Sequence, residues 1–205
     1  MKNIILLSLI ALLSFPTIAE TCRQHLDKGI PATINDQLLC RDGYAVGYNY
    51  RTKNADWVAY HITAANVNIT NKRSNAFKED MEVPDYARAT LEDYKDSGYD
   101  RGHLAPSATM DFSLESMVQS FLMSNMSPQL PGFNRVGWRI LEEHIRDLAN
   151  KYDELYVVTG PIYHGNEGTI GNGVVIPSAF YKVVLDPRFD DCLLYTSDAA
   201  DEHRR

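Results

Sequence analysis

The sequence predicts one domain of mixed strand and helix, an α+β fold, on three observations. Apolar residues alternate over 44–50 and recur over 57–63, which predicts a hairpin of two strands, the first of them half-buried. Apolar runs at 155–162 and 174–185 predict two further strands. Four-residue spacing over 134–151 predicts a long helix. A chain of 205 residues with 44% hydrophobic content suits one domain with a core.

The segments between these elements are predicted from their turn and cap residues. Residues 64–98 are polar and irregular, which predicts a long surface loop, and Ser113 can cap a short helix. Prolines make 124–134 a rigid, non-helical connector, and the glycines of 165–173 predict a plain loop. His61 lies in an apolar strand and is more typical of a hydrogen-bonded core residue than of a catalytic one. On the long helix, the residues expected to pack inward are Val136, Ile140, Ile145 and Leu148.

Residues 1–19 have the features of a signal peptide. Lys2 provides a positive start, 4–13 is a short apolar run, and Ala19 is a small residue suited to cleavage. No later segment approaches the ~20 apolar residues that a spanning helix needs. We therefore expect an exported protein, periplasmic or secreted, that has no membrane partner after cleavage.

Two cysteines fall in an N-terminal lead, residues 20–43. In an oxidising compartment, Cys22 and Cys40 are expected to form a disulfide, with metal binding or free thiols as the alternatives. The bridge would close a loop of roughly 18 residues and contribute on the order of 3 kcal/mol. Cys192 would then be the odd cysteine.

An acidic side chain, a guanidinium, a glycine and an imidazole follow one another in the run Asp100-Arg101-Gly102-His103. Histidine is the side chain best suited to accept a proton near neutral pH, and arginine presents a planar fork that matches a phosphate. Gly102 lets the backbone approach its neighbours closely. The run suggests attack of an activated water on a phosphodiester. The alternative is an ordinary turn with a surface arginine and a hydrogen-bonded histidine.

A second candidate block lies on the predicted helix. Asn134, Trp138, Glu142 and Arg146 recur every four residues and therefore share one face, nine residues after an Asn-x-x-Pro-Gln run that starts at Asn125. The alternative is a solvated face whose Glu–Arg pair contributes a few tenths of a kcal/mol.

Both blocks resemble the DNA/RNA non-specific endonucleases, the ββα-metal nucleases that include secreted sugar-non-specific bacterial nucleases and mitochondrial endonuclease G. The matching patterns are Asp-Arg-Gly-His-Leu-x-x-x-Ala and Asn-x-x-x-Trp-x-x-x-Glu-x-x-x-Arg, and the resemblance covers roughly 44–188. It implies a ββα-metal (His-Me finger) fold, in which a ββα element is set against an antiparallel sheet flanked by helices.

The end of the chain departs from this pattern. Family members continue with further strands and helices, whereas the residues from Cys192 onward resemble translated sequencing-adapter read-through. We therefore expect a C-terminally truncated nuclease domain at 44–191 and a non-native tail at 192–205. A divergent natural terminus is the alternative.

The resemblance also implies catalytic roles. His103 would be the general base that deprotonates water, and Asn134 would be the protein ligand of a hydrated Mg²⁺, with Mn²⁺ as a substitute. Glu142 would hold a metal-bound water, and Asp100 would orient the site.

The same resemblance implies that arginines bind the substrate. Arg101 and Arg146 would clamp the scissile or adjacent phosphate, and Arg73 is a further candidate. Asn125 is also expected among the substrate-binding residues, where it would brace the connector near the site. Contacts confined to phosphate carry no direct sequence information, so both DNA and RNA are expected as substrates.

Charge and motifs limit the competing functions. Removing 1–19 leaves 19 basic and 27 acidic residues, a net charge of −8, which argues against a catalytically silent nucleic-acid-binding protein. A phosphodiesterase acting on small nucleotides is the stronger alternative. A zinc-dependent HNH-type site would need more His or Cys ligands than this neighbourhood offers.

Overall fold

A computed structural model of the protein describes residues 22–33, 35–188 and 191–198. The predicted signal peptide lies outside these residues. Within them, every helix is too short or too polar to cross a membrane.

The main sheet has six antiparallel strands in the order β1-β2-β3-β6-β9-β10. The predicted hairpin is confirmed, since Ala45 in β2 lies opposite Ala59 in β3. The predicted half-burial of β2 is wrong, because one face of β2 meets the main core and the other meets a small cluster around Cys22 and Trp57. The strands are β1 Gln37–Cys40, β2 Ala45–Asn49, β3 Asn54–Thr63, β6 Glu154–Ile162, β9 Ala179–Asp186 and β10 Asp191–Asp198.

Two short strand pairs lie outside this sheet: β4 Asp100–His103 with β5 Met126–Gln129, and β7 Thr169–Ile170 with β8 Val174–Val175. The predicted connector is thus non-helical but contains a strand. The predicted glycine loop contains part of a small hairpin. Pro177 separates β8 from β9, so the run predicted as one strand is two.

The helices are short except for one. The described helical segments are α1 Arg23–Leu26, α2 Ala64–Val67, α3 Leu91–Tyr94, α4 Leu114–Gln119, a 3₁₀ turn Met123–Asn125, a π-helical segment Phe133–Trp138 and α5 Arg139–Tyr152. The predicted Ser113 cap of α4 is confirmed, because its side chain accepts a hydrogen bond from the Ser116 amide.

The π-helical segment and α5 form one continuous helix, called here the site helix. It begins at Pro131 rather than at Asn134, because a proline fits the first turn of a helix, where its missing N–H is not needed. Its buried face packs on the sheet through Phe133 and Trp138, whose ring centroids lie 5.5 and 5.6 Å from that of Phe180.

Two of the four residues expected to pack inward on this helix do not do so. Val136 and Ile140 are more than half exposed, because the buried face follows Phe133 and Trp138 through the π-helical turn. Ile145 is buried as predicted, and Leu148 packs partly buried against the core.

The segment 64–98 is irregular, but it is not a free surface loop. Asp80 is buried and accepts hydrogen bonds from Arg41 Nη2 (2.6 Å) and Ser124 Oγ (2.5 Å). The Lys78 carbonyl accepts from the Met123 amide. These bonds anchor the segment to β1 and to the 3₁₀ turn, so the loop is held in place.

Both ends of the described chain join the main sheet. The predicted lead contributes edge strand β1, and Cys22 and Cys40 form the predicted disulfide. At the other end, β10 pairs with β9 along its whole length. The hydrogen bonds between strands are made by backbone groups, so a foreign sequence could pair with β9 as well as a native one. The pairing therefore does not test whether the tail is native, and the non-native tail stays a prediction.

Replacing both Cys22 and Cys40 with serine should lower the free energy of unfolding by about 3 kcal/mol, because the bridge closes an 18-residue separation. Urea unfolding under non-reducing conditions measures the change. Cys192→Ser, at an exposed free cysteine, is the matched control and should be neutral. Equal stability of the double variant and the control would contradict the assigned bridge.

Candidate active site

One cleft collects most of the residues that the sequence singled out. They come from the 64–98 segment, the β4 region and the site helix, and those lining the cleft are Arg73, Asp100, Arg101, His103, Asn134, Glu142 and Arg146. The two sequence blocks therefore meet in space, as their resemblance to a single nuclease family implied.

A strand–strand–helix unit, called here the ββα element, makes this meeting possible. It consists of β4, β5 and the site helix. His103 ends β4 and lies opposite Met126 in β5. From the helix, the indole Nε1 of Trp138 donates a hydrogen bond to the His103 carbonyl (3.2 Å). This bond fixes the helix against the strand that carries the histidine.

Gly102 is required by the close approach of β4 to β5. A Cβ atom at this position would lie 2.2 Å from the Gln129 side chain, which is fully buried. No larger residue fits without moving one of the two strands.

The His103 ring sits between two aromatic side chains. Its centroid lies 5.0 Å from that of Phe121 and 5.7 Å from that of Phe77. Its Nε2 is buried and has no hydrogen-bond partner in the described part of the chain. Burial, followed by the positive charges of Arg73 and Arg101, lowers the pKa of His103 to about 3. The imidazole is therefore neutral at neutral pH and can accept a proton.

The same two phenylalanines hold two arginines. The Arg101 guanidinium lies 4.2 Å from the ring centroid of Phe77, and that of Arg73 lies 5.1 Å from the centroid of Phe121. Arg73 Nη1 also donates to Ser107 Oγ at 2.7 Å. Cation–π contacts and this hydrogen bond orient both guanidinium groups on the cleft wall.

Asp100 is bonded to two consecutive residues of the site helix. Its carboxylate accepts from Asn134 Nδ2 (2.9 Å) and from Arg135 Nε and Nη2 (2.8 and 2.6 Å). Burial acts to raise the pKa of Asp100, but these hydrogen bonds outweigh it and lower the pKa. Because Asn134 bonds through its amide nitrogen, its Oδ1 is left available for a cation.

Glu142 has an unsatisfied oxygen. Its Oε1 is buried without a hydrogen-bond partner among the described residues. Burial raises the pKa of Glu142 to about 7, and the positive charges of Lys182, Arg146 and Arg73 oppose that shift. A buried carboxylate oxygen of this kind is suited to a cation or to a water held by one.

The donor set suits a hydrated hard cation. No group of three or more His, Cys, Asp or Glu side chains that could hold a metal occurs in 22–33, 35–188 or 191–198. The Asn134 amide and the Glu142 carboxylate instead offer oxygens, and Mg²⁺ is commonly held by one or two protein oxygens with several retained waters.

Asn125 does not line the cleft. It is fully buried, its Oδ1 accepts from the Ala105 amide (2.8 Å), and its Nδ2 donates to the Ala105 and Ser120 carbonyls (2.9 Å each). Its contacts are those of a brace beneath the loop that follows His103. The expected role as a brace agrees with this position, whereas the expected substrate contact does not.

His61 also lies away from the cleft lining. Its Nε2 is 3.0 Å from Glu154, and its ring stacks on Tyr156. The predicted hydrogen bond of His61 agrees with this geometry, but the residue is not part of the core, because its side chain is 24% exposed.

Sequence reasoning missed several cleft residues. Arg135 and Arg139 extend the arginine row along the site helix, and their positions one and five residues after Asn134 were a usable signal. Phe77 could not be predicted as a cleft residue, because a single aromatic residue in a polar segment follows no pattern that indicates a site. Lys182, which is fully buried and not part of the cleft lining, was also missed, because it lies within an apolar strand.

A strand pair followed by a helix, with a histidine at the end of the first strand and an asparagine in the first turns of the helix, defines a ββα-metal nuclease. The chain belongs to the DNA/RNA non-specific endonuclease family, whose sequence model matches residues 23–198.

Named relatives agree with this assignment. Nuclease C1 of Cunninghamella echinulata var. echinulata is 39% identical over 184 residues, covering 83% of this chain and 73% of that protein. Human mitochondrial endonuclease G is 35% identical over 161 residues, covering 73% and 54%. Several of these relatives are matched over little more than half of their own length.

A solved structure shares the fold. The crystal structure of an EndoG/EndoGI complex superposes with a TM-score of 0.81 at 29% identity and covers 91% of this chain and 81% of that chain.

Replacing Asn125 with alanine should lower the free energy of unfolding by about 2–4 kcal/mol, because three buried backbone groups lose their partner. Asn150→Ala, at an exposed asparagine of α5, is the control and should change stability by less than about 0.5 kcal/mol. Urea unfolding measures both. Similar small effects would show that Asn125 is not a brace.

Replacing Gly102 with alanine should lower the free energy of unfolding by about 1–3 kcal/mol, because the new methyl group overlaps Gln129. Gly137→Ala on the site helix meets nothing within 4 Å and should be neutral or slightly stabilising. Thermal unfolding compares them. A stable Gly102→Ala protein would contradict the close approach of β4 and β5.

Proposed function

We propose that this protein is an exported, metal-dependent endonuclease that hydrolyses phosphodiester bonds of DNA and RNA with little sequence or sugar preference. The observation that carries the proposal is the convergence of His103, Asn134 and Glu142 with a row of arginines in one cleft. The family description and the nuclease names of the relatives support it.

His103 acts as the general base. Its neutral imidazole takes a proton from a water molecule that attacks phosphorus in line with the leaving 3′ oxygen. Phe77 and Phe121 fix the ring plane, and the Trp138 hydrogen bond fixes the backbone at this residue. Base catalysis typically supplies about 10²–10⁴ in rate, so further charge stabilisation is needed.

Asn134 Oδ1 and Glu142 are the groups that would hold a divalent cation, directly and through water respectively. We assign Mg²⁺, with Mn²⁺ as a substitute. When bound, the cation neutralises charge on the phosphate and on the leaving oxygen. Asp100 orients the Asn134 amide through its 2.9 Å hydrogen bond.

Arginines bind the phosphates. Arg101, Arg146 and Arg73 surround the position beside His103, and Arg135 and Arg139 continue the row outward. The whole chain is acidic, with a net charge of −7, so this row is a local basic cleft on an acidic protein. Guanidinium–phosphate contacts are the same for DNA and RNA and for every base, which accounts for the proposed breadth of substrate.

A polymer fits this cleft better than a small diester. One phosphate occupies one or two arginines, whereas five line the cleft. Arg135 and Arg139 are paired with Asp100 and Glu143, and the other three form no ion pair among the described residues. The alternative, a phosphodiesterase acting on small nucleotides, predicts that a chromogenic small diester competes with plasmid at similar concentration. The endonuclease proposal predicts that it does not.

Export is supported by the Cys22–Cys40 disulfide, since such bonds persist in oxidising compartments. Relatives include mitochondrial nucleases, so the periplasmic or secreted location rests on the predicted signal peptide and on this bond.

The test is digestion of supercoiled plasmid and of RNA by protein that starts at Glu20, with Mg²⁺ or with EDTA. Wild-type protein should degrade both substrates only with metal. His103→Ala should reduce the rate by roughly 10²–10⁴-fold while circular dichroism remains unchanged. His144→Ala, at an exposed histidine on α5, is the matched control and should keep full activity.

Cleavage that persists in EDTA, or equal activity of the two histidine variants, would contradict the proposal. Folded wild-type protein that cleaves only the small diester would favour the phosphodiesterase alternative.

A further inference from the structure

Lys182 is a fully buried lysine beneath the cleft that the proposed mechanism does not use. It lies on β9, with a relative exposure of 0%. Its Nζ is 3.4 Å from the Tyr60 hydroxyl and 3.5 Å from the Leu104 carbonyl, and it lies 4.6 Å from the ring centroid of Trp138. A buried ammonium group loses its hydration, which raises its free energy unless interactions with neighbouring groups compensate.

These three partners belong to the parts that must keep their relative positions. Leu104 directly follows His103, and Trp138 lies on the site helix and bonds the His103 carbonyl. Tyr60 lies on β3 in the main sheet. The lysine therefore stands where the histidine segment, the site helix and the sheet meet.

We propose that Lys182 is a positioning residue, which sets the spacing between His103 and the metal-binding side chains of the site helix. This inference rests on the proposed function. Its support is geometric: the Lys182 ammonium group contacts the carbonyl of Leu104, which follows His103, and the indole of Trp138, which lies between Asn134 and Glu142 on the site helix.

The charge of Lys182 also acts on Glu142. Their charged atoms form no ion pair within 4 Å in the described structure. Lys182 therefore acts on Glu142 through longer-range electrostatic attraction and not through a direct contact. A positive charge under the helix favours a carboxylate that faces the cleft.

The alternative is that Lys182 only fills space in the core. The two interpretations differ in what an apolar replacement does. Methionine has a similar length and no desolvation cost, so replacing a buried charge with it is often neutral or stabilising. A positioning role predicts that activity falls while stability holds.

The test compares Lys182→Met with Lys151→Met, an exposed lysine on α5. Four quantities are measured: the urea midpoint, kcat and KM on duplex DNA, and Mn²⁺ affinity by electron paramagnetic resonance. For Lys182→Met we expect an unchanged or higher midpoint, an unchanged KM, a kcat lower by roughly 10- to 100-fold, and weaker Mn²⁺ binding. The control should match wild type.

Wild-type kcat and Mn²⁺ affinity in a folded Lys182→Met protein would overturn the inference. If that variant does not fold, Tyr60→Phe removes only the hydroxyl contact and should lower kcat at wild-type stability, while an unchanged kcat would again overturn it. An inactive wild-type enzyme would instead refute the proposed function, and the Mn²⁺ comparison would still judge the role of Lys182.

Discussion

The hydrogen bond from the Trp138 indole to the His103 carbonyl is the link on which the cleft depends. It joins the site helix to β4, and β4 is held in turn by its pairing with β5. Together with the hydrogen bonds from Asn134 and Arg135 to Asp100, it fixes the spacing between His103 and Asn134, which otherwise belong to separate elements. Gly102 permits the strand pairing, and Asn125 braces the loop that follows. The contacts of Gly102 and Asn125 are buried and the Trp138 bond is partly buried. A low local dielectric strengthens such contacts and makes them costly to leave unmade.

The cleft concentrates positive charge on a chain whose balance is negative. Five arginines line it, and the two nearest His103 are oriented by phenylalanines rather than by carboxylates. An aromatic ring orients a guanidinium without neutralising it, so the charge remains available to an incoming phosphate. An acidic surface elsewhere disfavours tight non-specific binding and suits a catalyst that must release its product.

Linear motifs made the main parts of this arrangement predictable. His103 and Asn134 were found because their neighbours lie at fixed spacings in the chain, and the hairpin was found because alternation reports burial. Strand β5 was missed because Ser127-Pro128-Gln129 has the composition of a connector and its partner residues in β4 lie 23 to 29 positions earlier in the chain. Lys182 and Phe77 were missed for a related reason: burial of a charge, or contact across an irregular segment, leaves no local pattern. The residues proposed to act on the substrate were therefore predictable from the sequence, whereas the contacts that support them were not.

The most direct test of this account is anomalous diffraction from a crystal of His103→Ala protein grown with Mn²⁺ and a short DNA duplex. We expect one strong manganese peak beside Asn134 Oδ1 and Glu142, with a DNA phosphate next to it. A manganese ion bound elsewhere, or a DNA strand bound away from the arginine row, would contradict it.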